Sequence, residues 1–303
     1  MKTKFLNRLL LVLSCIYLIF AATYSHYIYA DSDGFDSVEN GELVITNLDV
    51  KKADAAIIML DGIYGMIDTG LKSKYDDIAS YLDDNNIEKL DFLILTHYDK
   101  DHVGCAEKII KNYTVTKVIV PDYVSEKKNY DSLQELFETM DNVDVLSQEE
   151  SYRFGSLALD VYPASDPDYI ASQSESLDND MSLVVSMSYG IDTFLFLADT
   201  EEVRMQEILA DETDIRANWV KMPHHGAFSD TSANEVQAEI LEEVAPTYAV
   251  ISTNEKTFQG ASAKATKNTL ENDNIEYYCT YDGNVVTRCD GANITVTQDQ
   301  DED

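Results

Sequence analysis

Basic residues are scarce in this 303-residue chain. Only 22 lysines and arginines stand against 56 aspartates and glutamates, a net charge of −34 at pH 7. Tight non-specific binding of nucleic acid takes its affinity mainly from Lys and Arg on phosphates, so the deficit argues against it. The acidic residues are spread through the chain and read as a solvated surface that keeps the protein soluble and repels polyanions at range. Histidine occurs five times and cysteine four. Cys15 lies in the N-terminal segment, and Cys105 reads as a buried core thiol. Cys279 and Cys289 flank an expected hairpin over 280–288, across which they either pair in an oxidising compartment or stay free, as geometry dictates. No internal repeat, low-complexity block or linker breaks the chain after residue 31.

Long apolar runs are lacking too. The apolar stretch 9–22 falls short of the about 20 residues that a membrane span needs. With Lys2, Lys4 and Arg8 before it, and Ala30 ahead of Asp31-Ser32-Asp33-Gly34, residues 1–30 read as a signal peptide. Ala22 is another possible cut. The expected location is outside the cell, as a secreted protein. If the segment stays uncleaved, it anchors the chain to the outer face of the membrane. The remaining 31–303 is long enough for one large domain with a substantial core.

Short apolar runs read as strands at 42–46, 55–60, 65–67, 92–95, 117–120, 157–162, 182–189, 193–197, 219–222 and 248–252. Amphipathic segments read as helices at 73–85, 103–112, 132–140, 201–210, 232–244 and 264–272. Alternating strands and helices over two comparable halves indicate an α/β domain. Opening and closing hairpins exclude a purely parallel sheet.

The most informative stretch runs from Phe92 to Gly104 and contains Thr96-His97-Tyr98-Asp99-Lys100-Asp101-His102. A buried strand ends at Leu95, and an amphipathic helix begins near Val103. Four potential ligands fall between them at i, i+2, i+4 and i+5. A tight loop turns alternate side chains to one side, and the helix start brings the later two round to face them. Imidazole and carboxylate together suit a divalent transition metal. An ordinary solvated turn is the plain alternative, but two of five histidines interleaved with two aspartates speak against it.

These residues resemble the signature of the metallo-β-lactamase superfamily, a His-x-His-x-Asp-His loop after a buried strand. Asp99 stands in place of the second histidine, a variant typical of the hydrolase domain of ComEC-type competence proteins. The likeness continues in order through Met66-Ile67-Asp68-Thr69-Gly70, Asp178-Asn179-Asp180-Met181-Ser182-Leu183, Phe194-Leu195-Phe196-Leu197-Ala198-Asp199 and Met222-Pro223-His224-His225-Gly226. The resemblance implies a four-layer αββα sandwich with one or two divalent metal ions, zinc or manganese, at one edge between two sheets. It implies that His97 and Asp99 hold one ion, that Asp101 and His102 hold a second, and that Asp199 bridges them. Asp180 could supply an oxygen where many members place a third histidine. His224 and His225 point to opposite sides on an extended chain, so one of them faces the metals and the other is structural or contacts substrate; which is which stays open, with His224 the candidate ligand. Asp68 is expected to orient His97 or His102. Asp199 has a plain alternative as the cap of the helix near Glu201.

Two departures from the family pattern stand out: the third histidine is missing, and Gln259-Gly260-Ala261-Ser262 replaces a late histidine. The site is thereby richer in oxygen, which favours manganese or magnesium more than an all-nitrogen site would, with zinc still open. The expected reaction is hydrolysis of a phosphodiester, small or polymeric, by metal-activated water. Asp101, Asp199, His224 and His225 are the catalytic candidates. A nuclease would show a basic groove, and only scattered lysines such as Lys127-Lys128, Lys256 and Lys264 are present. The alternatives are a hydrolase of another ester or amide and a non-catalytic binding module that has lost part of the site.

Overall fold

A computed structural model describes residues 41–211 and 213–298. The expected signal peptide lies outside the described residues. Two sheets dominate. In the first, of eight strands, Leu43–Asn47, Ala56–Leu60 and Ile63–Ile67 run antiparallel, and Phe92–Ile94, Val118–Pro121 and Val143–Leu146 then add in parallel. Val285–Cys289 and Ile294–Gln298 close its other edge. In the second, of seven strands, Glu150–Phe154, Leu157–Tyr162, Val184–Tyr189 and Asp192–Phe196 are antiparallel neighbours. Trp219–Lys221, Tyr248–Ile251 and Glu276–Cys279 follow in parallel.

The layering follows from strand periodicity, because successive side chains point to opposite faces. Ile58, Phe92 and Ile94 of the first sheet share one buried cluster with Leu159, Val185, Phe194, Phe196 and Trp219 of the second. Their alternates point outward. Ile57, Leu93 and Leu95 pack against Ile78 and Leu82 of the helix Tyr75–Asp84 and Ile109 of Ala106–Asn112. Leu195 and Val220 pack against Met205 of Glu202–Ala210, Ile240 of Thr231–Val244 and Leu270 of Lys264–Asn272. Helix, sheet, sheet, helix is the αββα sandwich.

Several expectations shift. The segment between Cys279 and Cys289 is not a hairpin, because Glu276–Cys279 belongs to the second sheet and Val285–Cys289 to the first. The chain crosses between sheets there, and both thiols are free and buried. The closing hairpin is instead Val285–Cys289 with Ile294–Gln298. The helix expected at 103–112 is split into Lys100–Val103 and Ala106–Asn112. Gly104 lies in the break, where a Cβ would come within 2.4 Å of the Lys72 nitrogen and 2.6 Å of the Gly70 oxygen. Only glycine lets the backbones approach so closely, and that approach seats the first turn, with Asp101 and His102, against the Thr69-Gly70 loop.

Parallel pairing sets the position of the site. The strands ending at Ile67, Ile94, Phe196 and Lys221 are parallel within their sheets, so the loops that leave them emerge at a common edge, where α/β sheets place their ligands.

Candidate metal centre

Each loop at this edge is fastened to another. The Asp54 amide donates to the Asp101 carbonyl (3.1 Å), Thr69 to His102 (2.6 Å), Leu183 to Thr96 (2.9 Å) and His224 to Ala198 (3.1 Å). Asp68, Ala198, His224 and His225 all hold left-handed backbone, with φ of 58°, 52°, 45° and 56°. Such conformations are costly for non-glycine residues and cluster at functional sites.

His97, Asp101, His102, Asp199 and His225 come together here. Among the described residues, His97, His102 and Asp199 offer ligand atoms within 4.8 Å of one another, as do Asp101, His102 and His225. The Asp199 carboxylate lies between two imidazoles: Oδ1 is 3.2 Å from His102 Nε2, and Oδ2 is 3.3 Å from His225 Nε2. Asp101 Oδ2 is 3.6 Å from the same His225 nitrogen.

The other ring nitrogen of each histidine is already engaged. Asp68 Oδ2 lies 2.7 Å from His102 Nδ1. His225 Nδ1 is 2.8 Å from the Ser252 carbonyl, which only accepts, so that nitrogen carries the proton. The Thr96 hydroxyl donates to Asp68 Oδ2 (2.8 Å), which leaves its oxygen to accept from His97 Nδ1 at 3.1 Å. Asp68 therefore orients His102 directly and His97 through Thr96. With every Nδ1–H so placed, each Nε2 presents a lone pair to the centre, the arrangement that metal-ligating histidines need. The Nε2 atoms of His97, His102 and His225 and Oδ1 of Asp199 are buried and make no hydrogen bond among the described residues. Buried polar atoms are rarely left so, and metal coordination at this edge would satisfy them. The residues present fit a metal.

Protonation follows the same geometry. Burial, with His102 beside it, pushes the His97 imidazole down to about 3. Burial also works against charge on His102 and His225, but Asp199 and Asp68 hold His102 well above its ordinary value. Asp199, Asp101 and Asp54 raise His225. Asp199 moves the other way: burial opposes its charge, and the imidazoles of His225 and His102 bring it well below the usual carboxylate range.

Three expected ligands fall outside these groups of ligand atoms. His224 sits beside Glu201, Nδ1 to Oε1 3.7 Å, and it is His225 whose Nε2 lies 3.3 Å from Asp199 Oδ2. The reason is local: the two residues are not extended but both left-handed, and the turn buries the second ring completely. Asp180 turns away, its Oδ1 accepting the backbone N–H groups of Glu201 (2.9 Å) and Arg204 (3.2 Å). It caps the helix Glu202–Ala210, the role weighed above for Asp199. Asp99 Oδ1 pairs with Lys127 Nζ at 2.7 Å.

The structure also adds residues that the sequence reading passed over. Asp54 and Lys221 form a buried ion pair (2.8 Å), and Asp54 Oδ2 and Oδ1 lie 3.9 Å from His102 Nδ1 and His225 Nδ1. The available signal was a lone charge among alanines, Ala53-Asp54-Ala55, and a lysine ending the apolar strand Trp219-Val220.

Comparison with known proteins agrees with this geometry. Residues 60–253 match the family model of the metallo-beta-lactamase superfamily. The chain belongs to that superfamily. ComE operon protein 3 of Bacillus subtilis is 29% identical over 176 residues, 58% of this chain and 21% of that protein. Recombination protein 2 of Haemophilus influenzae is 28% identical over 213 residues, 69% of this chain and 24% of that one. The chain thus spans about a quarter or less of the length of these curated relatives. Among solved structures, the metallo-beta-lactamase fold protein YhfI from Bacillus subtilis aligns with a TM-score of 0.56 at 12% identity, covering 82% of this chain and all of that one. Tm1679, described as a metal-dependent hydrolase of the beta-lactamase superfamily, aligns at 0.51 with 11% identity, 85% of this chain and all of that one. At these identities the structures share the fold.

Proposed function

We propose that this protein is an exported, metal-dependent phosphodiesterase whose centre is His97, Asp101, His102, Asp199 and His225. The observation that carries the reading is the convergence of three buried Nε2 atoms on Asp199, each with its Nδ1 held by a partner. A divalent ion in such a centre lowers the pKa of water and polarises a phosphoryl oxygen. Asp101 and Asp199 accept hydrogen bonds from the attacking water and fix its direction. His224 lies at the partly open rim, with Glu201 behind it and the Asn179 amide donating to Glu201 Oε1 at 2.6 Å. It is the residue positioned to pass a proton to the leaving oxygen.

The loop variant His97-x-Asp99-x-Asp101-His102, shared with ComEC-type domains, supports a phosphodiester over a β-lactam. The net charge of −34 favours a small or locally exposed phosphodiester over a long polyanion. Export rests on the character of residues 1–30.

The test is hydrolysis of bis-p-nitrophenyl phosphate by the purified chain, alone and with manganese or zinc, against the His97→Ala/Asp101→Ala double variant. Metal-stimulated turnover that vanishes in the variant supports the reading. A folded chain that binds metal without turnover points to another ester class. One that binds no metal points to a binding module, a reading favoured by the engagement of Asp99 and Asp180 elsewhere.

A further inference from the structure

The His97 side of the centre is poorer in ligands than the His225 side. Among the described residues, His97 shares its group of neighbouring ligand atoms with His102 and Asp199, and both of these also serve groups that contain His225. Asp99 appears in none of those groups. Asp180 is spent on the helix start at Glu201 and Arg204, and the neighbouring Asn179 amide is spent on Glu201. A four-coordinate ion needs more than one imidazole and a shared carboxylate.

A cation already sits beside the loop that carries His97 and Asp101. Lys127 Nζ lies 2.7 Å from Asp99 Oδ1 and 4.0 Å from Asp178 Oδ2. Its loop is tied down: Tyr123 Oη (3.0 Å) and Ser125 Oγ both donate to Asp178 Oδ1, and the Lys127 amide donates to Ser125 Oγ at 3.1 Å. Lys127 then enters the helix Lys128–Phe137. The backbone that carries the ammonium is thus fixed beside Asp99. Burial works against its charge, but Asp99, Asp178 and Asp101 outweigh burial and raise its pKa.

We propose that the centre holds one divalent cation tightly, on Asp101, His102, Asp199 and His225, and that the Lys127 ammonium takes the place of a second by occupying Asp99. The inference rests on reading the cluster as a metal centre. It does not depend on the substrate. An anionic substrate would meet one metal and one ammonium, and Lys127, its side chain 44% exposed, has room to contact it.

The test is metal stoichiometry and affinity. The full chain, stripped with chelator, is titrated calorimetrically with zinc, and retained metal is counted by mass spectrometry after desalting. One ion per chain should be retained, with a second binding on the order of ten-fold more weakly or worse. Lys127→Met should strengthen the second event by on the order of ten-fold and leave the first unchanged, while Lys127→Arg keeps the wild-type pattern. Lys127→Gln provides the same reading should the methionine variant fail to fold. Two ions of like affinity in the wild type overturn the proposal, as do neutral variants that bind the second ion no better. A chain that binds no ion overturns both the proposal and the metal-centre reading. Correct stoichiometry without phosphodiester hydrolysis removes only the substrate assignment.

Discussion

Replacing Lys221 by methionine removes one half of an ion pair that is closed off from solvent. Lys221 and Asp54 are 3% and 6% exposed, and Nζ is 2.8 Å from Asp54 Oδ2 and 3.1 Å from the Met222 carbonyl. The pair also crosses the sandwich, joining the second sheet at the end of Trp219–Lys221 to the segment that enters Ala56–Leu60 of the first. Burial opposes the Asp54 charge, and Lys221, then His225 and His102, hold its pKa down. Without the lysine, a buried carboxylate keeps only the two imidazoles. Breaking such a pair from one side costs about 3–5 kcal/mol, and one kcal/mol moves Tm by about 2–4 °C in a domain of this size. Lys221→Met should therefore lower Tm by roughly 10 °C. The Asp54→Asn/Lys221→Met double variant should recover most of that loss, because no charge is then left unpaired. Thermal unfolding followed by circular dichroism reads both. A single variant within about 1 kcal/mol of wild type, or a double variant as unstable as the single, refutes the reasoning.

Asp180→Ala should cost about 1–2 kcal/mol by uncapping Glu202–Ala210 while leaving metal content intact; loss of metal would make Asp180 a ligand after all. His225→Ala should abolish metal retention. His224→Ala should keep the metal and lower kcat by roughly a hundred-fold or more, and the opposite pattern would reverse the assignment within the pair. The last prediction concerns pH in the metal-free chain. His102 and His225 carry raised pKa values, so they contribute stability that is fully present below the unfolded value of about 6.5 and is lost as pH rises through the folded values. A cation has to displace those protons. The gain in Tm on adding zinc should thus grow from pH 6 to pH 8, and a gain that is flat or shrinks over that range removes the argument.

Much of the sandwich was legible because strand alternation is a local signal. Phe92-Leu93-Ile94-Leu95 and Phe194-Leu195-Phe196-Leu197 read as buried strands, and each does send alternate residues to the inter-sheet core and to a helix layer. The helix Lys264–Asn272 falls where its pattern places it. Partly exposed strands were missed. Val143–Leu146 and Glu150–Phe154 lie at sheet edges with few buried residues, so their apolar signal is thin. The hairpin between Cys279 and Cys289 failed for a different reason. Two strands separated only by residues 280–284 look the same in sequence whether they pair with each other or join opposite sheets, and only their partners, Tyr248–Ile251 and Leu43–Asn47, decide.

The site shows the same division between what is local and what is not. Residue types and spacing around His97 and His102 point to metal chemistry because ligands must be imidazole or carboxylate at short range. Spacing does not say what else competes for a carboxylate. Asp180 and Asp199 both precede the helix Glu202–Ala210 in space, and either would serve as its cap. Asp180 reaches the backbone at Glu201 and Arg204, which frees Asp199 to lie between His102 and His225. Asp99 sits at a ligand position by register, yet Lys127, twenty-eight residues further along, is what its oxygen meets. A carboxylate's role at this edge is therefore set by the nearest unsatisfied donor. In sequence that donor is invisible until the fold brings it within hydrogen-bonding reach.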